Sequence, residues 1–156
     1  MKSTPNHINI RKALATDMPA IHNLIKELAI YEKAEDEVAT TPEELVKDGF
    51  GENPAFEAIV AENQESTIVG FALFFTAYST WKGKSLYLED FIVTEKQRKT
   101  GIGKLLFDRL FEIAKERKVK RFHWQVLDWN KTAIDFYKKY PTEFEDDWLN
   151  VKIRFD

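Results

Sequence analysis

Apolar residues recur along the chain at two periods, and the switches between those periods mark the elements. Near the start, Ile8 and Ile10 alternate with polar neighbours, which predicts a short strand. At Ile21 the spacing becomes i, i+3, i+4, i+7 through Leu24, Ile25 and Leu28, the buried stripe of an amphipathic helix. Thr16 is placed to cap it, with Asp17 in the first turn and Pro19 tolerated there. The helix runs out near Tyr31, in an acidic stretch holding Glu32, Glu35, Asp36 and Glu37, with Lys33 among them. Thr41-Pro42-Glu43-Glu44 is a capping box with proline at the first helical position. It predicts a second helix to about Asp48, stopped by Gly49.

Phe56 to Glu62 and Thr67 to Tyr78 read as two strands joined by the polar turn Asn63-Gln64-Glu65-Ser66. A loop through Ser79 to Gly83 leads to a central strand with Tyr87, Leu88, Phe91, Ile92 and Val93. From Lys104 to Arg117 the helical period returns, with Leu106, Leu110, Ile113 and Ala114 on one face. Phe122, Trp124 and Val126 alternate as another strand, and Asn130 caps a helix running to about Lys139. Leu149, Val151, Ile153 and Phe155 alternate once more, which predicts a final strand. The order β-α-α-β-β-β-α-β-α-β points to an α/β fold over residues 1–156, a single domain with one mixed central sheet flanked by helices on both faces.

Composition narrows the classes. A chain of 156 residues with 44% hydrophobic residues builds one substantial core. Its longest apolar run, Ile68 to Phe75, is too short to cross a bilayer, and Met1 to Asn9 is polar without the apolar block of a signal peptide. There is no cysteine, which removes disulfides, a thiol nucleophile and an acyl-cysteine intermediate and fits an intracellular, cytoplasmic protein. His7, His22 and His123 have no ligand spacing, so no metal site is expected. A net charge of -3 argues against nucleic acid and suits a cationic substrate.

The candidate chemistry lies between Leu86 and Gly103. A strand, a glycine-containing turn and a helix N-terminus make an anion site, because free N–H groups and the positive end of the helix dipole point at one place. Two nucleotide motifs fail on it. A P-loop needs glycine where Arg98 stands and Ser or Thr where Leu105 stands; a dinucleotide fingerprint needs glycine at Leu106. What remains is Arg98-x-x-Gly101-x-Gly103, which by itself is equally an ordinary strand-to-helix turn. Glu89 and Asp90 stand just upstream, and strand alternation sends them to opposite faces.

Arg-x-x-Gly-x-Gly in this position resembles the acetyl-CoA pyrophosphate loop of the GNAT superfamily of N-acetyltransferases. The likeness extends to its diamine and polyamine acetyltransferase branch and the thialysine acetyltransferase relatives. It is carried by Leu24 to Ala29, Asp48 to Gly51, Tyr78 to Gly83, Tyr87 to Asp90, Gly101 to Gly103 and Val126 to Asn130. The resemblance implies the GNAT-type acyl-CoA N-acyltransferase fold and acetyl-CoA as co-substrate. It lays the pantetheine arm along Phe91, Ile92 and Val93. It sets the pyrophosphate on the N–H groups of Lys99, Thr100, Gly101, Ile102, Gly103 and Lys104, with charge from Arg98, Lys99 and Lys104. It makes Glu89 the proton relay for the amine and Tyr137 the acid for the departing thiolate, with Asn130 on the cofactor. Read from the residues alone, Tyr137 is equally core packing beside Ala133 and Phe136.

Tyr31 and Glu32 match the amine pocket of the branch, Trp81 is a loop-adjacent aromatic that reads as a pocket wall or as ordinary packing, the role of Asp90 stays open, and Glu35 to Glu37 read as a solvated helix end. Ser79 stands where polyamine-acetylating members tend to be acidic, so the loop is more similar to the thialysine type. Lys138-Lys139-Tyr140-Pro141 replaces the usual glycine turn. The implied activity is acetyl transfer to a small primary amine, lysine-like or a diamine, in a ternary complex of a homodimer. A protein lysine, or an acyl-CoA-sensing domain without turnover, are the other readings.

Overall fold

The computed structural model describes residues 7–155, so the first six residues of the polar start, and Asp156, lie outside the described part. The chain divides into two compact units, one ending at Gln125 and the other beginning at Val126.

The first unit runs β1 (Asn9–Lys12), α1 (Met18–Tyr31), α2 (Pro42–Phe50), β2 (Glu57–Glu62), β3 (Ile68–Ser79), β4 (Gly83–Val93), α3 (Ile102–Glu116) and β5 (Arg121–Trp124). Its five strands lie in sequence order. The first three pairings are antiparallel, β2–β3 and β3–β4 as hairpins and β1–β2 across α1 and α2, and β5 returns parallel to β4 through α3. Alternation along the strands divides the core in two. Ala58, Val60, Phe71, Leu73 and Ile92 pack with Met18, Ile21 and Leu24 of α1 and Leu45 of α2. On the opposite face the Phe107 ring of α3 meets Phe91, Phe122 and Trp124 with centroids 5.9, 5.4 and 5.2 Å away. Gly70 lets α3 come close: a Cβ there would lie 2.9 Å from the Ile92 carbonyl oxygen and 3.1 Å from Leu106. The mixed sheet with helices on both faces is the architecture that the apolar periods predict.

Several boundaries differ from expectation. Thr16 does not cap α1; it sits inside a 3-10 turn, Ala15–Asp17, that leads into the helix. Gly49 does not stop α2, which continues to Phe50. Its missing side chain instead makes room for the Phe56 ring, which a Cβ would meet at 2.5 Å. Val126 lies beyond β5.

The second unit contains α4 (Lys131–Tyr137), capped by the Asn130 side chain, which accepts from the Ala133 N–H at 3.2 Å. The turn after α4 closes without glycine: the Thr142 hydroxyl donates to the Tyr137 carbonyl at 3.0 Å just past Pro141. The final predicted strand does not form. Leu149, Val151, Ile153 and Phe155 are from 81% to 92% exposed, because an alternating segment becomes a strand only when a neighbouring strand takes its backbone hydrogen bonds, and no described strand does so.

One ion network fixes the start of the chain to the sheet. Arg11 on β1 donates to Asp17 at 2.7 and 3.0 Å and to Glu62 on β2 at 2.6 Å. Its hydrogen bonds hold the buried Asp17 carboxyl below the usual range, against the desolvation that would raise it. Stability from a depressed carboxylate is present above its unfolded value and is lost as pH falls through the folded one. Arg11→Ala is therefore expected to lower unfolding stability by about 2 kcal/mol at pH 7 and by much less near pH 3, read by urea melts at both pH values.

Candidate active site

β4 pairs with β3 along its length, but the register shifts once. Leu73 stands opposite Asp90 and the next residue, Phe74, stands opposite Leu88, so β4 carries one extra residue at Glu89. Strict alternation therefore does not run through the two carboxylates. Before the bulge, Leu88 is on the α3 side with Trp124. After it, Asp90 shares the α1 side with Ile92, and Phe91 takes the α3 side. The expectation that Glu89 and Asp90 simply oppose each other across the sheet is replaced by a kinked pair at one point of the strand.

The kink gathers negative charge. Asp90 is half-buried, and its carboxyl is pushed up to about 6, first by burial and then by Glu89 and by Glu32 at the end of α1. Burial also raises Glu32. Glu89 remains exposed. Carboxylates held this close, with partial desolvation, favour whatever brings positive charge to them. Of the expected pocket residues, Glu32, Glu89 and Asp90 act on one another at the bulge, while Tyr31, the last residue of α1, carries the Arg98 guanidinium 4.9 Å from its ring centroid.

Trp81 does not join them. It lies at the tip of the β3–β4 hairpin, 89% exposed, and the strand from Gly83 to Leu88, about 20 Å long, separates it from Glu89. Ser79 shapes that tip, its hydroxyl accepting from the Trp81 and Lys82 N–H groups at 3.3 and 3.1 Å.

The loop after β4 leads into an uncapped helix start. Lys99 at φ 62° and Gly101 at φ 92° are both left-handed, and Gly101 precedes the first residue of α3. No side chain caps α3, and its first turn holds no acidic residue, so the N–H groups of Ile102, Gly103 and Lys104 carry the positive end of the helix. Gly103 supplies a test of fit. A Cβ there would rest at ordinary distances of 3.6 Å from Phe91 and 3.8 Å from Val93, so nothing in the chain itself demands glycine. A bare backbone at this position suits close approach by a phosphate. The β5 ladder stops at Leu88, so no described strand covers that edge of β4 from Glu89 to Val93, where an amide-bearing arm can pair. The side chain of Ile92 is in the core, which leaves its backbone for such a role.

The loop charges are placed unequally. Arg98 is turned inward. Its Nε donates to the Val93 carbonyl at 3.1 Å, its guanidinium lies 3.9 Å from Glu27 and 4.9 Å from the Tyr31 ring centroid. Lys104 pairs with Asp108 one turn along α3, and Lys99 is exposed. The Thr100 hydroxyl donates to the Gln97 carbonyl at 2.5 Å, which closes the turn before Gly101. Sequence reading missed Glu27. Its carboxylate accepts from the Glu95 N–H at 2.8 Å and from the Thr94 hydroxyl at 3.1 Å, tying the loop to α1. Only its place in the Leu24 to Ala29 block hinted at this. In the second unit Tyr137 is buried on α4, its ring 5.6 Å from Phe136, and Asn130 caps the same helix.

Comparison with known proteins gives the family and the fold. Residues 18–140 match the acetyltransferase (GNAT) family. The thialysine N-epsilon-acetyltransferase of Sus scrofa is 43% identical over 136 residues, covering 83% of this chain and 80% of that protein. A spermidine/spermine N(1)-acetyltransferase-like protein of Homo sapiens is 39% identical over 87% of this chain and 20% of its own length. An aminoglycoside acetyltransferase from a soil metagenome has the same fold, with a TM-score of 0.77 at 20% identity over 96% of this chain and 97% of that one. With an uncapped helix N-terminus, a bulged central strand and a match over most of its length, the chain belongs to the acetyltransferase (GNAT) family, whose members use acetyl-CoA as co-substrate.

Proposed function

We propose that this N-acetyltransferase moves the acetyl group of acetyl-CoA onto the primary amine of a small cationic molecule, a lysine-like amino acid such as thialysine or a short diamine. The observation that carries the reading is the meeting of Glu32, Glu89 and Asp90 at the β4 bulge, upstream of the anion-binding start of α3. The names of the relatives at 43% and 41% identity support a thialysine-type acceptor.

The chemistry asks for a neutral amine beside a held thioester. A lysine-like ammonium has a pKa near 10.4, so on the order of one molecule in a thousand is neutral at pH 7. The carboxylates bind the ammonium, and Glu89, exposed at the bulge, takes its proton directly or through water. The freed nitrogen lone pair attacks the thioester carbonyl, the C–S bond breaks, Tyr137 gives its phenolic proton to the thiolate, and the proton that the new amide nitrogen sheds passes through water to restore the tyrosine. A tyrosine, near pKa 10, suits a thiol leaving group better than a carboxylic acid does. The backbone of Phe91 to Val93 holds the arm of the donor, the N–H groups from Lys99 to Lys104 hold its pyrophosphate, and Asn130 adds a contact. Without cysteine in the chain, a direct attack in a ternary complex is the consistent route. The same proposal takes the protein as a cytoplasmic homodimer, in which a second copy covers the exposed row from Leu149 to Phe155; a monomeric mass by light scattering would refute that part.

A CoA-release assay over lysine analogues, diamines and polyamines is expected to give its highest kcat/KM with a lysine-like acceptor. Tight acetyl-CoA binding with no turnover on any amine would overturn the proposal. Tyr137→Phe should lower kcat about a hundredfold without changing the KM for acetyl-CoA, and Glu89→Gln should alter the pH profile of kcat/KM. Asp90→Asn separates function from stability. Because folding raises this carboxyl to about 6, the wild type loses stability as pH rises through the window from about 4 to 6. The variant should be more stable than wild type by about 2 kcal/mol at pH 8, equal to it near pH 4, and poorer in amine KM.

A further inference from the structure

The carboxylates have a neighbour that none of the roles above uses. In register, Phe75 on β3 stands opposite Tyr87 on β4, which stands opposite His123 on β5. Leu73 stands opposite Asp90. Leu73 and Phe75 are two residues apart and share a face, so Asp90 and Tyr87 occupy adjacent rungs of that same face once the bulge has taken up Glu89. The Tyr87 ring is held on both sides, its centroid 5.1 Å from Phe75 and 4.9 Å from His123, the latter edge-on at 71°. His123 is fixed in turn: its Nε2 lies 3.3 Å from the hydroxyl oxygen of Ser85, which is fully buried. A tyrosine clamped this firmly, half-buried and one rung from a carboxylate cluster, is more than filler between two aromatic rings.

We propose that Tyr87 is a further acceptor-binding residue, its hydroxyl donating to the carboxylate pair and accepting from the incoming ammonium, with His123 as the residue that positions its ring. This rests on reading the cluster as the amine site. The charges around the row agree. Burial first, and then Glu89 and Asp90 on β4, raise the Tyr87 hydroxyl above its ordinary range, so it stays protonated near neutral pH. Glu32 of α1 acts on Asp90, and Phe75 of β3 brings no charge. On β5, burial and Arg121 lower His123, so near neutral pH its ring is uncharged and does not repel an ammonium. Ser85 sits one rung further from the carboxylates and belongs to the support, not to the pocket.

Carboxyl-carbon NMR titration of Asp90, assigned with Asp90→Asn, tests the contact without requiring turnover. Tyr87→Phe removes a donor to the carboxylate and is expected to raise the Asp90 midpoint from about 6 by roughly half a unit to one unit. In steady state it should raise the amine KM about tenfold, with kcat changed much less and the KM for acetyl-CoA unchanged. His123→Ala should reproduce part of both effects, and His123→Phe, which keeps a ring against Tyr87, should restore them. An unmoved Asp90 midpoint and an unmoved amine KM in Tyr87→Phe would overturn the proposal, as would effects of His123→Ala that a ring at 123 fails to rescue. A shifted midpoint in a protein that acetylates no amine would instead overturn the reading of the cluster as an amine site, and with it the part of Tyr87 in binding.

Discussion

A strand paired along one edge cannot change which face its side chains take unless it gains or loses a residue against its partner. β4 does this once, at Glu89, and the candidate site depends on it. Without the extra residue, Asp90 would fall in line with Leu86 and Leu88 under α3, in a layer occupied by Phe107, Phe122 and Trp124. With it, the apolar rungs before and after the bulge still reach α3, through Leu88 and then Phe91, while Asp90 is moved to the side of Tyr87 and Glu32. The bulge keeps the core continuous and places acid where a core residue would otherwise stand.

That placement has a cost, and its sign sets Asp90 apart from the other constrained carboxylate of the fold. Asp90 gains no described ion-pair partner to offset its burial, and its two charged influences, Glu89 and Glu32, are of its own sign. By contrast, Asp17 is just as constrained by the fold but sits under the guanidinium of Arg11, which lowers it. One carboxylate is stabilised by the native state and the other is destabilised by it. A group of the second kind persists where something outside the chain supplies the missing positive charge.

The donor side uses backbone more than charge. Arg98, the most prominent cation of the loop motif, faces inward to the Val93 carbonyl, Glu27 and Tyr31, so its work is to fix where the loop leaves β4 and where α1 ends. Glu27 completes the stitch from the other side through Thr94 and Glu95. The end of β4, the start of α3 and the end of α1 are thus set with respect to one another by local hydrogen bonds, and those three places hold the anion-favouring N–H groups, the open strand edge and the carboxylates.

Local patterns were enough to read the elements. Period 3.6 located α1 and α3, period 2 located β2 and β3, and the capping box at Thr41 and the Asn130 cap each appear as hydrogen bonds in the structure. Glycines after a strand and before a helix were enough to locate the uncapped start of α3, because the free N–H groups of a helix start belong to the backbone and need no distant partner. What depends on partners far along the chain was not legible. The bulge exists only in the register between β3 and β4; the role of Gly49 exists only against Phe56; and the tie between the loop and α1 exists only because Glu27 lies on a helix 68 residues before Glu95. The same reason undid the last predicted strand. Leu149 to Phe155 carries the alternation of a strand in its sequence, but a strand is completed by the backbone of another segment, and the sequence of one segment cannot say whether that other is there.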